Sequence, residues 1–115
     1  MTHIFHITTG ADWAGAQKSG EYAADSLETE GFIHCSDPRQ VVGVANARFR
    51  GRADLVLLHV DVRRLDAEVR YENLEGGNDL FPHVYGAIPV AAVVKVTRLQ
   101  PGDGGVFEID DSEPG

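Results

Sequence analysis

The stretch Asp54-Leu55-Val56-Leu57-Leu58-His59-Val60-Asp61 has the strongest strand pattern in the chain. It is apolar between its two aspartates except for His59, and it contains neither glycine nor proline. A short apolar run with such boundaries is typical of a buried strand. We therefore predict a central strand over residues 54–61, in which His59 is a core histidine.

The other strands are predicted before and after this segment. His3 to Thr9 is rich in β-branched and aromatic residues, and strand alternation places Ile4, His6 and Thr8 on one face. Further strands are predicted over residues 31–36, 69–74 and 90–99, with an edge strand over 105–110.

Two short helices are predicted. The first covers residues 10–19 and ends at Gly20, because glycine is a common helix stop. The second begins at Asp37-Pro38-Arg39-Gln40, where Asp37 can cap, Pro38 suits the first helical position and Gln40 completes a capping-box spacing. A period near 3.6 predicts the residues that this helix buries, namely Val41, Val42, Ala45 and Phe49.

An order of strand, helix, strand and helix, followed by several strands, favours an α+β domain over a regular parallel α/β sheet. We predict a small, mostly antiparallel split β-sheet with two short helices. A chain of 115 residues is long enough to bury one core. Residues 1–102 are predicted to form this single domain, and residues 103–115 an acidic tail with the edge strand at its start.

The net charge narrows the range of partners. The chain has 18 acidic and 10 basic side chains, but five of the acids and none of the bases lie in residues 103–115. Long nucleic acid and anionic membranes are not expected as partners, since both favour a cationic surface. The body is only mildly acidic, so a small anionic ligand such as a nucleotide remains compatible. The sequence does not indicate the oligomeric state.

Cys35 and the lengths of the apolar runs indicate the compartment. A single cysteine cannot form an internal disulfide, and no apolar run is long enough for a membrane-spanning helix. A cytoplasmic protein is therefore expected. In the middle of a strand, Cys35 is interpreted as a small buried apolar residue rather than a nucleophile.

A repeated pattern, His6-Ile7-Thr8 and His34-Cys35-Ser36, is the first candidate site. In each case an imidazole and a hydroxyl share one face of a strand. If the two strands are neighbours, these groups line one cleft that could bond to ribose hydroxyls and an amide, or bind a metal. The alternative is a pair of half-buried structural histidines.

The segment Phe81-Pro82-His83-Val84-Tyr85-Gly86 is the second candidate site, since it follows a glycine-rich loop and places His83 and Tyr85 on a defined turn. A packed turn with a surface histidine is the alternative. Glu72, at the end of a strand, is a lone carboxylate that is either solvated or functional. A solvated face or a phosphate-binding edge is predicted for the clustered arginines, namely Arg48, Arg50, Arg52, Arg63, Arg64 and Arg70.

Four segments together resemble the bacterial family called domain of unknown function 952. They are His6-Ile7-Thr8-Thr9, Gly31-Phe32-Ile33-His34-Cys35-Ser36, Leu57-Leu58-His59-Val60-Asp61 and Phe81-Pro82-His83-Val84-Tyr85-Gly86. The resemblance covers about residues 3 to 99. That family is similar to the ADP-ribosyltransferase-like superfamily, in which the RNA 2′-phosphotransferase branch is the nearest look-alike. The resemblance thus implies an ADP-ribosyltransferase-like fold and NAD as the cofactor.

By position, the resemblance also implies site residues. His6 resembles the first-strand histidine that holds the nicotinamide-side ribose, with Thr8 beside it, and His34 and Ser36 resemble the polar pair near the nicotinamide pocket. His83 and Tyr85 fall where other members place their last catalytic element. No residue aligns with the glutamate that ends the third motif of many transferases, and Glu72 is the candidate substitute. The implied catalytic set is Glu72, His83 and Tyr85, and the implied cofactor-binding set is His6, Thr8, His34 and Ser36.

Three functions from different classes follow as hypotheses. The first is an NAD-using enzyme of the ADP-ribosyl or phosphotransferase type, and the second is a non-catalytic module that binds a nucleotide or another small ligand. The third is a metal site of His6, His34 and His83, which ranks last because the usual short ligand spacings are absent. The sequence does not show whether these three histidines open into a common pocket, and that observation decides the site assignments.

Overall fold

The strand predicted as central, Leu55–Asp61, lies in the middle of a three-stranded sheet in a computed structural model that describes residues 3–73, 77 and 79–108. The strands are β1 His3–Thr9, β2 Glu21–Tyr22, β3 Ile33–His34, β4 Leu55–Asp61, β5 Val69–Glu72, β6 Phe81–Val84, β7 Ile88–Pro89 and β8 Val93–Leu99. The helices are α1 Gly10–Ser19, α2 Asp25–Thr29 and α3 Val41–Arg48, with 3-10 turns at Val62–Arg64, Val90–Ala92 and Asp103–Gly105.

All strand pairs are antiparallel and form three sheets. Their orders are β1-β4-β8, β3-β6-β5 and β2-β7. Between the first two sheets, Phe5 and Ser36 form an isolated bridge in which each backbone N–H donates to the other residue's carbonyl at 2.8 Å. The fold is therefore a small α+β fold with antiparallel sheets, as predicted. The described residues contain three α-helices, whereas the sequence pattern predicted two. The additional helix is α2, Asp25–Thr29.

Two apolar cores lie on opposite faces of β1. Ile4 packs in one core with Ile33, Cys35 and Val84, while Phe5 and Ile7 pack in the other against α3. This division follows from the two-residue period of a strand. The predicted alternation along residues 3–9 is confirmed, and it places His6 and Thr8 on the face of the first core.

The first predicted helix is confirmed over residues 10–19. The Thr9 hydroxyl accepts a hydrogen bond from the Asp12 backbone N–H at 3.0 Å, which caps its start. Gly20 ends the helix with a φ of 95°, a left-handed conformation that glycine adopts without steric cost.

The second predicted helix begins later than expected, at Val41 rather than at residues 37–40. The Gln40 side chain does accept from the Asp37 backbone N–H at 3.0 Å, but no side chain caps α3, and one oxygen of the Asp37 carboxylate accepts from the Tyr71 hydroxyl. The prediction that Val42 is buried is wrong, since its side chain is 37% exposed. In this two-turn helix the buried stripe consists of Val41 and Ala45, one turn apart.

The predicted edge strand over 105–110 is not formed over residues 105–108. A 3-10 turn ends at Gly105, and Phe107 enters the second core with 1% exposure. The Asn46 amide holds the Phe107 backbone, donating to its carbonyl at 3.1 Å and accepting from its N–H at 2.7 Å. The last seven residues of the predicted tail, 109–115, lie outside the described residues.

Three other predicted strands are shorter in the structure. Only Ile33 and His34 form β3, and residues 90–92 form a 3-10 turn before β8. Strand β5 ends at Glu72, and Leu74, the predicted end, lies outside the described residues. Within the described part of the chain, no helix is long and apolar enough to cross a membrane.

Candidate functional site

The two main sheets separate next to the Phe5–Ser36 bridge, and the His6 side chain lies in this gap. Its Nδ1 donates a hydrogen bond to the His34 backbone carbonyl at 2.6 Å, which ties β1 to β3. The His6 residue is 9% exposed, and burial lowers the pKa of its imidazole to about 4. His6 is therefore neutral at pH 7 and carries one ring proton.

The position of that proton fixes the hydrogen bonds around it. A carbonyl oxygen only accepts, so the proton is on Nδ1 and the Nε2 atom must accept. Nε2 lies 2.8 Å from the Tyr22 hydroxyl, which lies 3.1 Å from the Thr8 hydroxyl. The Tyr22 hydroxyl has one proton, which goes to His6, and Thr8 therefore donates to Tyr22.

Both ring nitrogens of His6 are thus bonded to protein groups. Through these two bonds the His6 side chain links β1, β3 and Tyr22. Sequence reasoning missed Tyr22, which lies in a two-residue strand without a motif. Its relation to His6 arises only when β2 packs over the first core, where Tyr22 is 5% exposed.

A cavity of about 540 Å³, here called the small cavity, opens on the Thr8 side of His6. His6, Thr8 and Tyr22 are its buried lining residues, and the exposed residues Asp12 and Asp25 place their carboxylates at its rim. The other polar lining residues are Thr9, Ser19, Glu21, Ser26 and Arg52, and the rest of the lining is apolar.

A second cavity of about 650 Å³, here called the large cavity, lies between α3 and β3. The polar and charged side chains in its lining are His34, Ser36, Arg39, Gln40, Arg48, Asn73 and Asp79, together with His6 and Ser26. It also contains the rings of Phe49 and Phe81. The two cavities share four residues, His6, Ile7, Ser26 and Phe49, so they adjoin at the gap between the sheets.

Glu72 at the end of β5, His83 on β6 and Tyr85 directly after β6 form a cluster. Glu72 Oε1 accepts from His83 Nδ1 at 2.9 Å and from the Tyr85 hydroxyl at 2.5 Å. The bonds from Tyr85 and His83 lower the pKa of the Glu72 carboxyl, and the bond to Glu72 raises the pKa of Tyr85. Glu72 is therefore an ionised carboxylate bonded to two side chains.

Aromatic contacts hold this cluster in place. Phe32 stacks on His83 with ring centroids 4.2 Å apart, and the His34 ring meets His83 edge-on at 5.3 Å. The Arg70 guanidinium lies 4.6 Å from the centroid of the Tyr85 ring. His83 is 1% exposed, so the prediction of a surface histidine on a packed turn does not describe it.

Gly86 ends this segment for a steric reason. A Cβ atom at this position would lie 2.7 Å from the Cβ of Ala67, which is closer than two non-bonded carbon atoms can approach. The absence of a side chain therefore allows the chain after Tyr85 to pass next to Ala67.

The structure brings the predicted site residues together in two groups. His6 and Thr8 line the small cavity, and His34 and Ser36 line the large one. Glu72, His83 and Tyr85 are bonded to each other, but they are not among the residues that line either cavity. The groups meet at His34, which pairs with His83 in the sheet. Of the three histidines, His6 and His34 line the large cavity, and His83 lines neither of the two cavities.

The other sequence candidates take structural positions. Among the described residues, no group of three or more histidines, cysteines or carboxylates could hold a metal ion, so the metal hypothesis has no site there. Cys35 is buried, and burial raises the pKa of its thiol. His59 bonds to Thr97 at 3.2 Å and contacts the Phe5 ring.

The arginine cluster divides between ion pairs and the large cavity. Arg52 pairs with Asp54, Arg70 pairs with Glu68, and both Arg63 and Arg64 reach Asp61. Arg50 donates to the Gly104 carbonyl. Arg48 lines the large cavity, as does Arg39 from outside the cluster. Four of the six arginines of the cluster thus form ion pairs, and Arg39 and Arg48 are among the residues that line the large cavity.

Comparison with known proteins identifies the family of this chain and solved structures of a relative. The family model described as "Protein of unknown function (DUF952)" matches residues 7–96. The crystal structure of protein CC0527 from Caulobacter crescentus is 33% identical, with a TM-score of 0.85 over 96% of this chain and 97% of that one. Its solution NMR structure is also 33% identical, with a TM-score of 0.84 over 98% and 97% of the two chains. No curated protein matches the sequence.

The family model covers most of the chain, and the relative shares the fold over almost its full length. The four segments that carry the resemblance in the sequence lie in or next to strands of the two main sheets. Residues 6–9 belong to β1, 31–36 contain β3, 57–61 belong to β4, and 81–86 contain β6. By these matches, the chain belongs to the DUF952 family of proteins of unknown function.

Proposed function

We propose that this protein binds a dinucleotide of the NAD class across the two adjoining cavities. The observation that carries the proposal is that the small and large cavities meet at His6, Ile7, Ser26 and Phe49. Volumes of about 540 and 650 Å³ fall within the range of small-molecule sites, and a ligand with two halves fills both.

The lining of the large cavity suits a nucleotide with phosphates. Arg39 and Arg48 supply guanidinium groups, which bind phosphate oxygens in a bidentate geometry. Phe49 and Phe81 supply rings on which a base can stack. His34 and Ser36 are within the same lining and supply polar atoms for ribose hydroxyls, as the ADP-ribosyltransferase resemblance implies.

A second candidate function is ADP-ribosyl transfer from bound NAD. The observation that favours it is the ionised Glu72, held by His83 next to His34. In such a reaction the bond between ribose C1′ and the nicotinamide nitrogen breaks, and its electron pair leaves with nicotinamide. A carboxylate near C1′ stabilises the remaining oxocarbenium ion. With water as the acceptor, the products are ADP-ribose, nicotinamide and one proton released to solvent.

A binding module without catalysis is favoured by the packing of the same cluster. His83 is buried and stacks on Phe32, and Glu72 Oε1 already accepts two hydrogen bonds. Direct catalysis requires groups within hydrogen-bond reach of the substrate. The geometry therefore supports binding of a dinucleotide more strongly than its cleavage.

Calorimetric titration with NAD tests the binding, and measurement of free nicotinamide tests the cleavage. We expect Arg39→Gln to weaken NAD binding about five- to tenfold, since a charged hydrogen bond to phosphate is lost. Arg98→Gln, on the exposed face of β8, is the matched control and should leave the affinity unchanged. Absence of heat with millimolar NAD would end the binding proposal. NAD binding without release of nicotinamide would support the binding module and contradict ADP-ribosyl transfer.

A further inference from the structure

The deep end of the small cavity presents acceptors rather than donors. Thr8 donates its hydroxyl proton to Tyr22, Tyr22 donates to His6 Nε2, and His6 Nδ1 donates to the His34 carbonyl. Every side-chain proton of this network is used inside the protein. The oxygens of Thr8 and Tyr22 keep lone pairs, because a hydroxyl can accept as well as donate.

The rim of the small cavity also presents acceptors of hydrogen bonds. Asp12, Glu21 and Asp25 supply carboxylates, which only accept when ionised. The one cation in the lining, Arg52, is bonded to Asp54 through Nε and one terminal nitrogen. A phosphate or carboxylate in the deep part of this cavity would lose water and find lone pairs and like charge in its place.

We propose that the small cavity is a subsite for an uncharged or cationic hydrogen-bond donor, such as a primary carboxamide, an amine or a sugar hydroxyl. Thr8 and Tyr22 are the residues that determine its specificity, through their hydroxyl oxygens. This subsite rests on the proposed function for the position of the rest of the dinucleotide. The phosphates lie next to Arg39 in the large cavity, and the half of the ligand that carries the hydrogen-bond donor lies next to Thr8 in the small cavity.

A pair of probes that differ only in donor and charge tests this subsite. Nicotinamide and nicotinate have the same ring and size, but one carries a carboxamide and the other a carboxylate. In an NMR titration we expect nicotinamide to shift the backbone amide signals of Thr8 and Tyr22, with nicotinate binding at least about tenfold more weakly. Equal binding of the two probes, tighter binding of nicotinate, or no shift at these residues with either probe would overturn the inference.

Two variants locate the effect. Thr8→Val keeps the shape of the side chain and removes its oxygen, and Tyr22→Phe removes the phenolic oxygen. Each should reduce the preference for nicotinamide, while the controls Thr97→Val and Tyr71→Phe, whose hydroxyls bond to His59 and Asp37, should keep it. Unchanged preference in a folded Thr8 or Tyr22 variant would contradict the assignment.

A measurement on the unmodified protein is independent of the variants. Nitrogen-15 NMR of the His6 ring should show the proton on Nδ1, and a proton on Nε2 would reverse the network and overturn the inference. The outcome is separable from the proposed function. Nicotinamide binding at Thr8 without NAD binding would end the dinucleotide proposal and leave the subsite.

Discussion

At His6, burial determines which hydrogen-bond partners a motif residue has. As part of a His-x-Thr pattern it reads as a ligand-binding group, but both of its ring nitrogens bond to the protein. A neutral buried imidazole with one donor and one acceptor is satisfied by the His34 carbonyl and the Tyr22 hydroxyl. Its measurable property is then its effect on stability at low pH.

We predict that the free energy of unfolding falls as the pH is lowered from 6.5 to 4. The unfolded chain protonates His6 near its ordinary pKa of 6.5, whereas the folded protein does so only near 4. Between these values the unfolded state binds more protons, so stability rises with pH across this window and is lost below it. The contribution is at most about 3 kcal/mol.

Urea denaturation at a series of pH values measures this effect, together with an NMR titration of the His6 ring. The variant His6→Gln should have a flatter stability profile between pH 6.5 and 4.5. An NMR-derived pKa near 6.5 for His6 in the folded protein would contradict the prediction.

Glu72 and Glu68 form a matched pair for a second prediction. Both are carboxylates of the same strand region, but Glu72 bonds to His83 and Tyr85, while Glu68 pairs with Arg70 on the surface. Glu72→Gln should lower the melting temperature more than Glu68→Gln, because it removes the charged acceptor of a buried histidine. The bonds that lower the pKa of Glu72 stabilise the fold above pH 4.5, and this contribution is lost as pH falls.

Thermal unfolding followed by circular dichroism at pH 7 gives the comparison. The difference between the two variants should shrink as the pH is lowered below 4.5, where the unfolded glutamate is protonated. Equal melting temperatures of the two variants at pH 7 would show that the cluster contributes no more than a surface ion pair.

Among the elements, α3 has two functions that its sequence does not separate. One face places Val41 and Ala45 in the second core, and Gly43, Val44 and Ala47 line the large cavity. From this helix, Asn46 also fastens the chain after β8 by bonding to both backbone groups of Phe107. The segment 103–108 therefore packs on the body of the protein.

We predict that Asn46→Ala lowers the free energy of unfolding by about 1–3 kcal/mol, because the N–H and carbonyl of Phe107 lose their partners. Asn46→Asp is the matched variant, since it keeps the acceptor for the Phe107 N–H and loses only the donor. At pH 7 it should therefore cost less than Asn46→Ala, which loses both bonds. Urea denaturation measures both, and hydrogen exchange at the Phe107 amide should quicken in Asn46→Ala. An unchanged exchange rate at the Phe107 amide in Asn46→Ala would contradict the prediction that Asn46 holds this segment.

At the scale of the whole molecule, the candidate site is a consequence of two sheets that join at a single bridge. Beyond Phe5 and Ser36 the strands separate, and the two cavities fill the gap on either side of His6. The motif residues His34 and His83 meet because they are opposite each other in β3 and β6, 49 positions apart in the chain. No local pattern encodes that register.

Sequence alone predicted the features that depend on near neighbours. The alternation of β1, the central position of β4 and the cap and stop of α1 follow from strand period, apolar runs and glycine stereochemistry. It also identified Glu72, His83 and Tyr85 as candidates, and the structure places them in contact.

Tertiary structure alone decided which of the polar residues face a cavity and which are used by the protein. Tyr22 completes the hydrogen bonds of His6, Asp37 bonds to Tyr71 instead of capping α3, and Phe107 enters the core from an acidic segment. In each case the partner is distant in the chain, and a buried polar group bonds to whatever partner packing brings within reach. A sequence pattern specifies the group, but only the fold supplies the partner.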